Sequence, residues 1–518
     1  MMRTANRFAW CAVVVVLACP VAALALGHER IPLDHWCYAA LERFESLGLC
    51  VLPDDRPFTR DEIIRLTEQV RGAADASHLS ARDRYQLDRL EKEFTAEAGR
   101  DDPSQRYNPT WFGRDRSIAL EGNVALTPYV EQQSFSTQTE AYIGITPEFR
   151  AHLGDRFTYD VRYQLLFGPE HGDRARNEKP SRREKSFKGL TSLYERSYVI
   201  GHWDQVDVFF GRDYVDWGPS LGGNLITPGP NISLDQINAQ LRWRALRLDF
   251  FYGQLWTDPQ RWMASHRLEA AVGRSVFGIS ETVVYGGRPM DWLYALPVGW
   301  YYANQFNERT NSDNILWSVD AKTSVLRPVT LYGSLLIDDF QFERSGGYPD
   351  KLAADVGARW VAARPWGLEM RAQYRWVDIY TYSHEESLSV YVSGAGDLTQ
   401  GDVLLGGSPG PDADSWFVTA DVYPLPNWML SAGVLGGRIG QGNDLRAFDI
   451  HVDDKNPPFP SGIVEKSLGV RLETRWEWSG NRWVAGQYAH VKADNRGHVS
   501  GADDSSDSFR LELRWDIP

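Results

Sequence analysis

Residues 366–376 read WGLEMRAQYRW, and polarity changes at every step. The apolar or aromatic positions Trp366, Leu368, Met370, Ala372, Tyr374 and Trp376 alternate with Gly367, Glu369, Arg371, Gln373 and Arg375. Because successive side chains of a β-strand point to opposite faces of its sheet, one face of this strand is apolar and the other is charged. Such a strand is suited to separate an apolar medium from a polar one.

The same two-residue period recurs from about residue 117 onward. Clear examples are residues 157–165 (FTYDVRYQL) and 468–476 (LGVRLETRW). Segments of ~10 residues with this alternation are typical of a transmembrane β-barrel whose apolar side chains face lipid. A soluble β-sandwich or propeller also alternates, but aromatic residues at the strand ends and the lack of a blade-length repeat favour the barrel.

The predicted connections alternate between short turns and long polar loops. The short turns are 154–155, 327–328, 364–365, 426–427 and 480–481, and the long loops are 168–190, 286–311, 379–414, 437–463 and 493–507. Outer-membrane barrels have short periplasmic turns and long external loops, so this asymmetry supports a large antiparallel barrel.

The last predicted strand has the same alternation. Phe509, Leu511, Leu513 and Trp515 face one way, and Arg510, Glu512 and Arg514 face the other. Such terminal strands usually end on an aromatic residue, whereas residues 516–518 follow Trp515 here. At ~22 residues per strand and connection, the region predicts about 18 strands. The predicted lumen positions carry both signs of charge, which favours a cross-linked lumen over a wide pore.

Residues 1–25 are typical of a signal peptide. Arg3 and Arg7 precede an apolar stretch, and residues 23–25 (ALA) form a cleavage site. Residues 16–19 (VLAC) offer a weaker, lipoprotein-type alternative. No later apolar run approaches the ~18 residues of a membrane-spanning helix, which excludes a helical membrane protein. Aromatic residues make up 13% of the chain, as expected if they form girdles around a barrel.

Residues 26–109 have a helical period, and we expect a small periplasmic helical module there, followed by the barrel at 110–518. Thr59 and Glu62 fit a capping box at the start of one helix. Cys37 and Cys50 remain after signal cleavage. In an exported chain they are expected to form a disulfide; the alternative is two unpaired thiols in a helical core.

Charge and ligand patterns limit the partners. The formal net charge is −14 and no basic cluster offsets it, which excludes nucleic acid. Histidines have no zinc spacing. The acidic pairs 453–454 and 503–504 lack the spacing of a dedicated calcium loop. We therefore expect no metal and no cofactor.

The most unusual stretch is residues 209–230 (FFGRDYVDWGPSLGGNLITPGP), in which a strand enters a segment rich in Gly and Pro. Regular sheet cannot continue there, so we expect the chain to fold inward or lie at a rim, the alternative being an ordinary hairpin turn. The stretch resembles the Wzi family of capsule-assembly outer-membrane barrels. The matching positions are Gly211, Arg212, Trp217, Gly218, Pro219, Gly223 and Asn224, with Ser220 where the family commonly has glycine.

The Wzi resemblance implies an 18-stranded barrel with a periplasmic helical bundle and a lectin-like role toward capsular polysaccharide. A weaker resemblance to an S-layer-homology module lies in His35, Trp36, Ala39, Leu41, Phe44 and Gly48, followed by residues 56–62 (RPFTRDE). Such modules bind cell-wall polymers, so peptidoglycan is a further candidate partner. The alternative is a helical bundle packed under the barrel.

Two features could carry chemistry. Residues 218–222 (GPSLG) match the nucleophile elbow, but the following Gly and Pro residues disfavour the helix that this chemistry needs around Ser220. Aromatic residues in a predicted external loop could instead stack on sugar rings, or could pack on one another. They are Trp292, Tyr294, Trp300, Tyr301 and Tyr302.

The resulting prediction is a non-enzymatic outer-membrane barrel, surrounded by outer-membrane lipids. It binds capsular or exopolysaccharide and assists its assembly or attachment through weak, multivalent loop contacts. A solute channel is the alternative function, and an outer-membrane hydrolase is a weaker one.

Overall fold

The structure is a computed structural model. It describes residues 28–74, 79–94, 118–133, 139–153, 156–167, 190–307, 313–340, 347–362, 366–395, 402–479 and 482–517. The predicted signal peptide lies outside the described residues, as do the predicted turns at 154–155, 364–365 and 480–481 and nearly all of the loop at 168–190.

The α-helices of the described residues are α1 (Cys37–Ser46), α2 (Arg60–Ala73), α3 (Ala81–Phe94) and α4 (Tyr301–Asn307), and two short 3-10 helices lie at Ser387–Ser389 and Arg496–His498. None of them is long and apolar enough to cross a membrane.

The strands are β1 (Asp55–Arg56), β2 (Ile118–Gln133), β3 (Thr139–Leu153), β4 (Phe157–Phe167), β5 (Leu190–Trp203), β6 (Val206–Trp217), β7 (Gly229–Trp243), β8 (Leu246–Thr257), β9 (Gln260–Val272), β10 (Ser275–Gly286), β11 (Asn314–Thr323), β12 (Val329–Asp339), β13 (Lys351–Val361), β14 (Glu369–Val377), β15 (Ala413–Leu425), β16 (Trp428–Ile439), β17 (Glu465–Ser479), β18 (Arg482–Asp494) and β19 (Asp504–Ile517).

Strands β2 to β19 form one closed antiparallel barrel of 18 strands in the described part of the chain. Each strand pairs with its neighbours in sequence, and β19 pairs with β2 to complete the ring. The predicted fold class and strand number are confirmed. Closure leaves no unpaired sheet edge, which a barrel needs in order to satisfy its backbone groups.

The alternation seen in the sequence sets the direction of the side chains. On β14, Met370 and Tyr374 are exposed on the outer wall, whereas Gln373 and Arg375 are buried in the lumen. The same contrast is seen on β19, where Phe509 is exposed on the outside. The register of each strand is therefore fixed by which face is apolar.

The two ends of the barrel differ. Short turns at 204–205, 244–245, 273–274, 324–328 and 426–427 form the short-turn end. At the opposite, long-loop end the chain makes long connections at 287–313, 378–412, 440–464 and 495–503. The turns expected at 327–328 and 426–427 are confirmed, and the long loops begin and end within a few residues of the predicted positions.

Helices α1 to α3 form a module with its own apolar core at the short-turn end. Thr59 caps α2, and its hydroxyl and the Glu62 carboxylate make the reciprocal hydrogen bonds of a capping box, as predicted. Arg43 of α1 donates to the carbonyl of Gly367, at the turn before β14, over 2.9 Å. From this end the module extends inward, because Asp55 of β1 pairs with Trp217 of β6.

The disulfide prediction is wrong for this structure, in which Cys37 and Cys50 are free and buried in the core of the module. The Cys50 Sγ donates to the carbonyl of Leu41, 3.7 Å away. The sulfur of Cys50 is thus engaged with the backbone of α1 rather than with Cys37. Burial raises the pKa of both thiols, so they are poorly reactive.

Candidate functional site

The half of the lumen near the short turns is occupied by the helical module, which ion pairs join to the wall. The Nζ of Lys322 on β11 lies 3.1 Å from the Glu45 carboxylate and also donates to the Leu52 carbonyl over 3.0 Å. Arg247 on β8 pairs with Asp55 at 2.8 Å. These wall and module residues are all at least four-fifths buried, so each charge depends on its partner.

A second group of charges surrounds Glu29, the first carboxylate of the described module. Burial alone would raise the pKa of Glu29, but the guanidinium groups of Arg60 and Arg150 outweigh it and hold the pKa well below its usual range. Arg150 on β3 also lies 2.9 Å from Asp160 on β4. The cross-linked lumen expected from the mixed charges is therefore present in the described residues.

The half of the lumen near the long loops is crossed by residues 218–228, which we call the inward loop. Strand β6 ends at Trp217, and the backbone N–H of Gly218 then donates to the carbonyl of Asp54 in the module, over 2.7 Å. Gly218 has φ = 119°, and a Cβ there would lie 2.6 Å from the Asn224 Oδ1. Inward folding of this Gly- and Pro-rich stretch is confirmed, and Gly218 is the residue that permits the bend.

The inward loop is fixed by two lumen-facing residues of β14, on the opposite side of the barrel from β6. The Oε1 of Gln373 accepts hydrogen bonds from the backbone of Leu221 (3.0 Å) and Gly222 (3.1 Å). The fully buried Arg375 donates to the Ser220 hydroxyl (2.8 Å) and to the carbonyl of Gly223. A loop without regular structure needs such partners, because buried backbone groups must be satisfied.

Arg375 also joins the inward loop to a second segment, residues 378–395 and 402–412. It pairs with Asp355 on β13 at 2.9 Å and donates to the carbonyl of Ser408 over 3.0 Å. Arg261 of β9 holds the same segment, because it donates to the carbonyls of Leu388 and Gly394, each over 2.8 Å. We call this the second inward segment.

The two inward segments share one apolar core inside the barrel. The hydroxyl of Tyr382 donates to the carbonyl of Leu225 over 2.8 Å, and Trp217 packs edge to face on Phe251 at 5.2 Å. All three aromatic residues belong to the largest buried cluster of the described chain. Lumen contents therefore span both halves of the barrel: the module in one and the inward segments in the other.

The residues of the Wzi-type motif lie in two different parts of the structure. Trp217, Gly218, Pro219, Gly223 and Asn224 come together at or in the inward loop. Arg212, in contrast, faces outward from β6 and pairs with Asp235 on β7, with 2.5 Å between Nε and Oδ1. Gly211 has φ = 136° and lies so close to β5 that a Cβ would be 2.3 Å from the Ser197 carbonyl.

Ser220 is not placed as a nucleophile. Its hydroxyl contacts Gln373, Arg375 and the Asp355 carboxylate, which is itself paired with Arg375, and the chain continues into β7 rather than into a helix. The elbow pattern in the sequence therefore lacks its structural context.

The predicted aromatic platform is only partly present. Tyr294 and Tyr301 are buried under their own loop, and the Tyr294 hydroxyl donates to Asp313 over 2.8 Å. Their assignment as sugar-stacking residues is wrong, because no face of either ring is open to a ligand. Trp292, Trp300 and Tyr302 are exposed.

Another aromatic group, which the sequence analysis missed, lies among the long loops. Phe448 contacts Tyr348 at 5.9 Å and Tyr380 at 5.2 Å between ring centroids, and Tyr348 is exposed. Arg446 forms a bidentate pair with Asp453, with N–O distances of 2.6 and 2.8 Å. We call these five residues the loop-end cluster. The three aromatic residues come from three separate loops, so no local sequence pattern signals them.

One group of possible metal ligands also escaped the sequence analysis. His28, Asp61 and His202 have donor atoms within 4.8 Å of one another. However, the two imidazoles stack with centroids 4.0 Å apart and planes 14° apart. Lone pairs in nearly parallel stacked planes do not converge on one ion, and the Nδ1 atoms of His28 and His202 already contact Asp61 and Asp207. The group joins the module to the barrel.

A closed antiparallel barrel of this size, with short turns at one end and long loops at the other, has the fold of an outer-membrane β-barrel. A solved structure with this fold is that of Wzi, an outer-membrane protein of Escherichia coli described as a carbohydrate-binding β-barrel involved in group 1 capsule assembly. The TM-score is 0.60 at 15% identity, over 95% of this chain and 99% of that chain. The resemblance to Wzi seen in the sequence is thus confirmed at the level of fold.

Porins of the same general architecture match less well. A BenF-like porin from Pseudomonas fluorescens gives a TM-score of 0.46 at 11% identity over 77% of this chain and 98% of that chain. OprD from Pseudomonas aeruginosa gives 0.45 at 10% identity over 77% and 95%. No family model matches the sequence, and no curated protein matches it either.

Proposed function

We propose that this protein is a non-enzymatic outer-membrane barrel that binds a surface polysaccharide at its long-loop end and assists capsule or exopolysaccharide attachment. The observation that carries the proposal is the occupied lumen. Arg375 joins both inward segments to the wall, and the module lies in the other half, so protein segments occupy both halves of the lumen in the described part of the chain, which favours a binding role over solute transport. The external loops are then the surface on which a ligand acts.

The orientation follows from the loops. Outer-membrane barrels have their short turns in the periplasm and their long loops outside. With that orientation, the proposal assigns the helical module to the periplasm, where peptidoglycan is an additional partner to test. The fold shared with a carbohydrate-binding barrel gives independent support for a glycan ligand.

The loop-end cluster is our candidate for the contact with sugar. Tyr348 offers an exposed aromatic ring of the kind that stacks on sugar C–H faces, and Arg446 and Asp453, which lie near Tyr380 of the same cluster, supply hydrogen-bonding groups. One such contact is weak, but a repeating polymer engages several loops and several barrels at once, which raises the overall affinity by avidity.

The proposal is tested by deleting the gene and measuring the polysaccharide that stays on cells and the amount released into the medium. We expect normal total synthesis with a larger released fraction, restored by the wild-type gene. A Tyr348→Ala gene should restore it poorly, whereas Val452→Ser, an exposed but non-aromatic change in loop 440–464, should restore it fully. An unchanged partition in the deletion strain would refute the attachment role.

A further inference from the structure

Residues 287–307, which we call the aromatic loop, lie on the outer wall of the barrel rather than over its mouth. Adjacent residues of β10 show this clearly. Val284 belongs to the buried cluster inside the lumen, whereas Val283 and Tyr285 belong to a separate cluster with Tyr294 and Tyr301 of the loop. Because side chains alternate between the two faces of a strand, this second cluster is on the outside.

A carboxylate on the outer wall holds the loop in place. Glu281 of β10 points outward, and its oxygens accept hydrogen bonds from the backbone of Tyr301 and Tyr302, each over 2.9 Å. The Trp317 indole also donates to it over 3.0 Å, and the His266 ring lies 3.2 Å away. Glu281 is only two residues from Ile279, which is exposed on the same outer face. The loop therefore covers a charge that lipid would otherwise meet.

The uncovered surface of the aromatic loop is apolar. No Asp, Glu, Lys or Arg occurs from residue 292 to residue 307. The exposed large side chains there are Trp292, Leu293, Leu296, Val298, Trp300 and Tyr302. Charges at the loop boundaries are paired, since Arg288 and Asp313 make two contacts of 2.6 Å. Contiguous exposed apolar surface of this kind marks a contact site.

We propose that the aromatic loop lies in the lipid of the leaflet at the long-loop end and anchors the barrel there, so that its occupant is lipid and not polysaccharide. The inference rests on the proposed outer-membrane location. The loop surface continues the lipid-facing strip of the wall, represented by Phe277, Ile279 and Val319. Trp and Tyr with Leu and Val, free of charge, are the composition that favours the boundary between headgroups and acyl chains.

The test uses three variants of the full protein, each with one cysteine added to the native Cys37 and Cys50, labelled with an environment-sensitive fluorophore and reconstituted in phosphatidylcholine vesicles. Val298→Cys probes the loop, Ile279→Cys probes the lipid-facing wall, and Val452→Cys is a matched control in loop 440–464. Val298 and Val452 are 81% and 79% exposed, so the protein itself shields them equally. The native thiols are buried and do not compete for the label.

A spin label placed high in the lipid acyl chain should quench the fluorophore on Val298→Cys to within about twofold of the quenching seen on Ile279→Cys. Quenching on Val298→Cys should be about fivefold stronger than on Val452→Cys. Aqueous iodide should show the opposite order. Quenching of Val298→Cys by iodide, with lipid quenching only at Ile279→Cys, would overturn the loop inference alone. Shielding of Val298→Cys from both quenchers would instead point to contact with a second copy and would also overturn it. Absence of lipid quenching at Ile279→Cys would refute the membrane location.

Discussion

The two halves of the lumen are filled in different ways. The helical module has a core of its own and contacts the wall mainly through paired charges, such as Lys322 with Glu45. The inward segments contain only a single 3-10 turn at Ser387–Ser389 and one isolated bridge, and Arg375 and Gln373 satisfy many of their backbone groups from the wall. A preformed element needs the barrel only for docking, whereas an irregular segment needs it in order to have a conformation at all.

The largest effect is expected at Arg375, which tests whether the inward segments depend on the wall for their conformation. Arg375→Met leaves Asp355 as a buried unpaired carboxylate and removes the donor to Ser408, at a cost of about 3–5 kcal/mol. We expect the inward loop to leave the lumen and open its long-loop half, seen as faster cleavage within residues 218–228 by a protease added from the long-loop side. Arg438→Met is the control, since its pair with Asp414 is half exposed and is worth less than about 1 kcal/mol. A variant that stays as closed as the wild type would show that the apolar core alone holds the loop.

Lys322 is the corresponding residue on the side of the module. Lys322→Met removes the cation that pairs with Glu45 and Asp54. This should weaken docking of the module by about 3 kcal/mol, so the module should open more often. Modification of Cys50 by a thiol reagent should then be on the order of a hundredfold faster, because every ~1.4 kcal/mol is tenfold. Lys466→Met, on an exposed lysine, should leave the rate unchanged. Equal rates for both variants would mean that charge pairing does not hold the module.

Acid should weaken the module more than the inward loop. Burial alone would raise the pKa of Glu42, but Arg359 and Arg56 outweigh it and lower the pKa to about 2. An ionised carboxylate with a depressed pKa stabilises docking fully above its ordinary pKa of ~4.3, and this is lost as the pH falls toward about 2. Pepsin cleavage within α1 should rise over that window, with an effect on the order of 2 kcal/mol.

Glu42→Gln provides the control for the acid response. It removes the titrating group, so docking should be weaker at neutral pH and should depend less on acid. A pepsin profile that is flat in the wild type, or that keeps its full acid dependence in Glu42→Gln, would contradict the assignment to Glu42.

The smallest effect is expected within the module itself. Thr59→Ala removes the cap of α2 and should cost about 1 kcal/mol, which corresponds to about fivefold faster modification of the buried thiols. Polysaccharide binding should not change, because the cap is remote from the long loops. Glu68→Ala, on the exposed face of the same helix, should stay within about 0.5 kcal/mol. Loss of polymer binding in Thr59→Ala would show that the stability of the module affects the long loops at the opposite end of the barrel.

Local rules predicted much of this molecule. The period of two assigned Tyr374 to the outer face and Arg375 to the lumen. The S/T-x-x-E pattern located the start of α2. Gly and Pro content indicated where the chain leaves the barrel wall. Each of these depends on residues that are neighbours in sequence.

Long-range partners were not predictable in the same way. Arg375 meets Gly223 from 152 positions away, and no local pattern encodes that meeting. Composition showed that residues 292–302 are aromatic but not on which side of the wall they fold, so Tyr294 and Tyr301 were misassigned. For Cys37 and Cys50, export alone suggested a disulfide bond, whereas both are free thiols in the module core and Cys50 contacts the Leu41 carbonyl.

Pairing of β2 with β19 has a consequence for biogenesis. The module precedes β2 in the chain, so it is already present when the ring closes at the last seam, and it never has to thread through a finished barrel. Asp34, just ahead of α1, lies 3.3 Å from Arg514 on β19. The strand that completes the circle thus contacts the element enclosed by it, and a correctly seated module gives the final strand a docking point that an empty ring would lack.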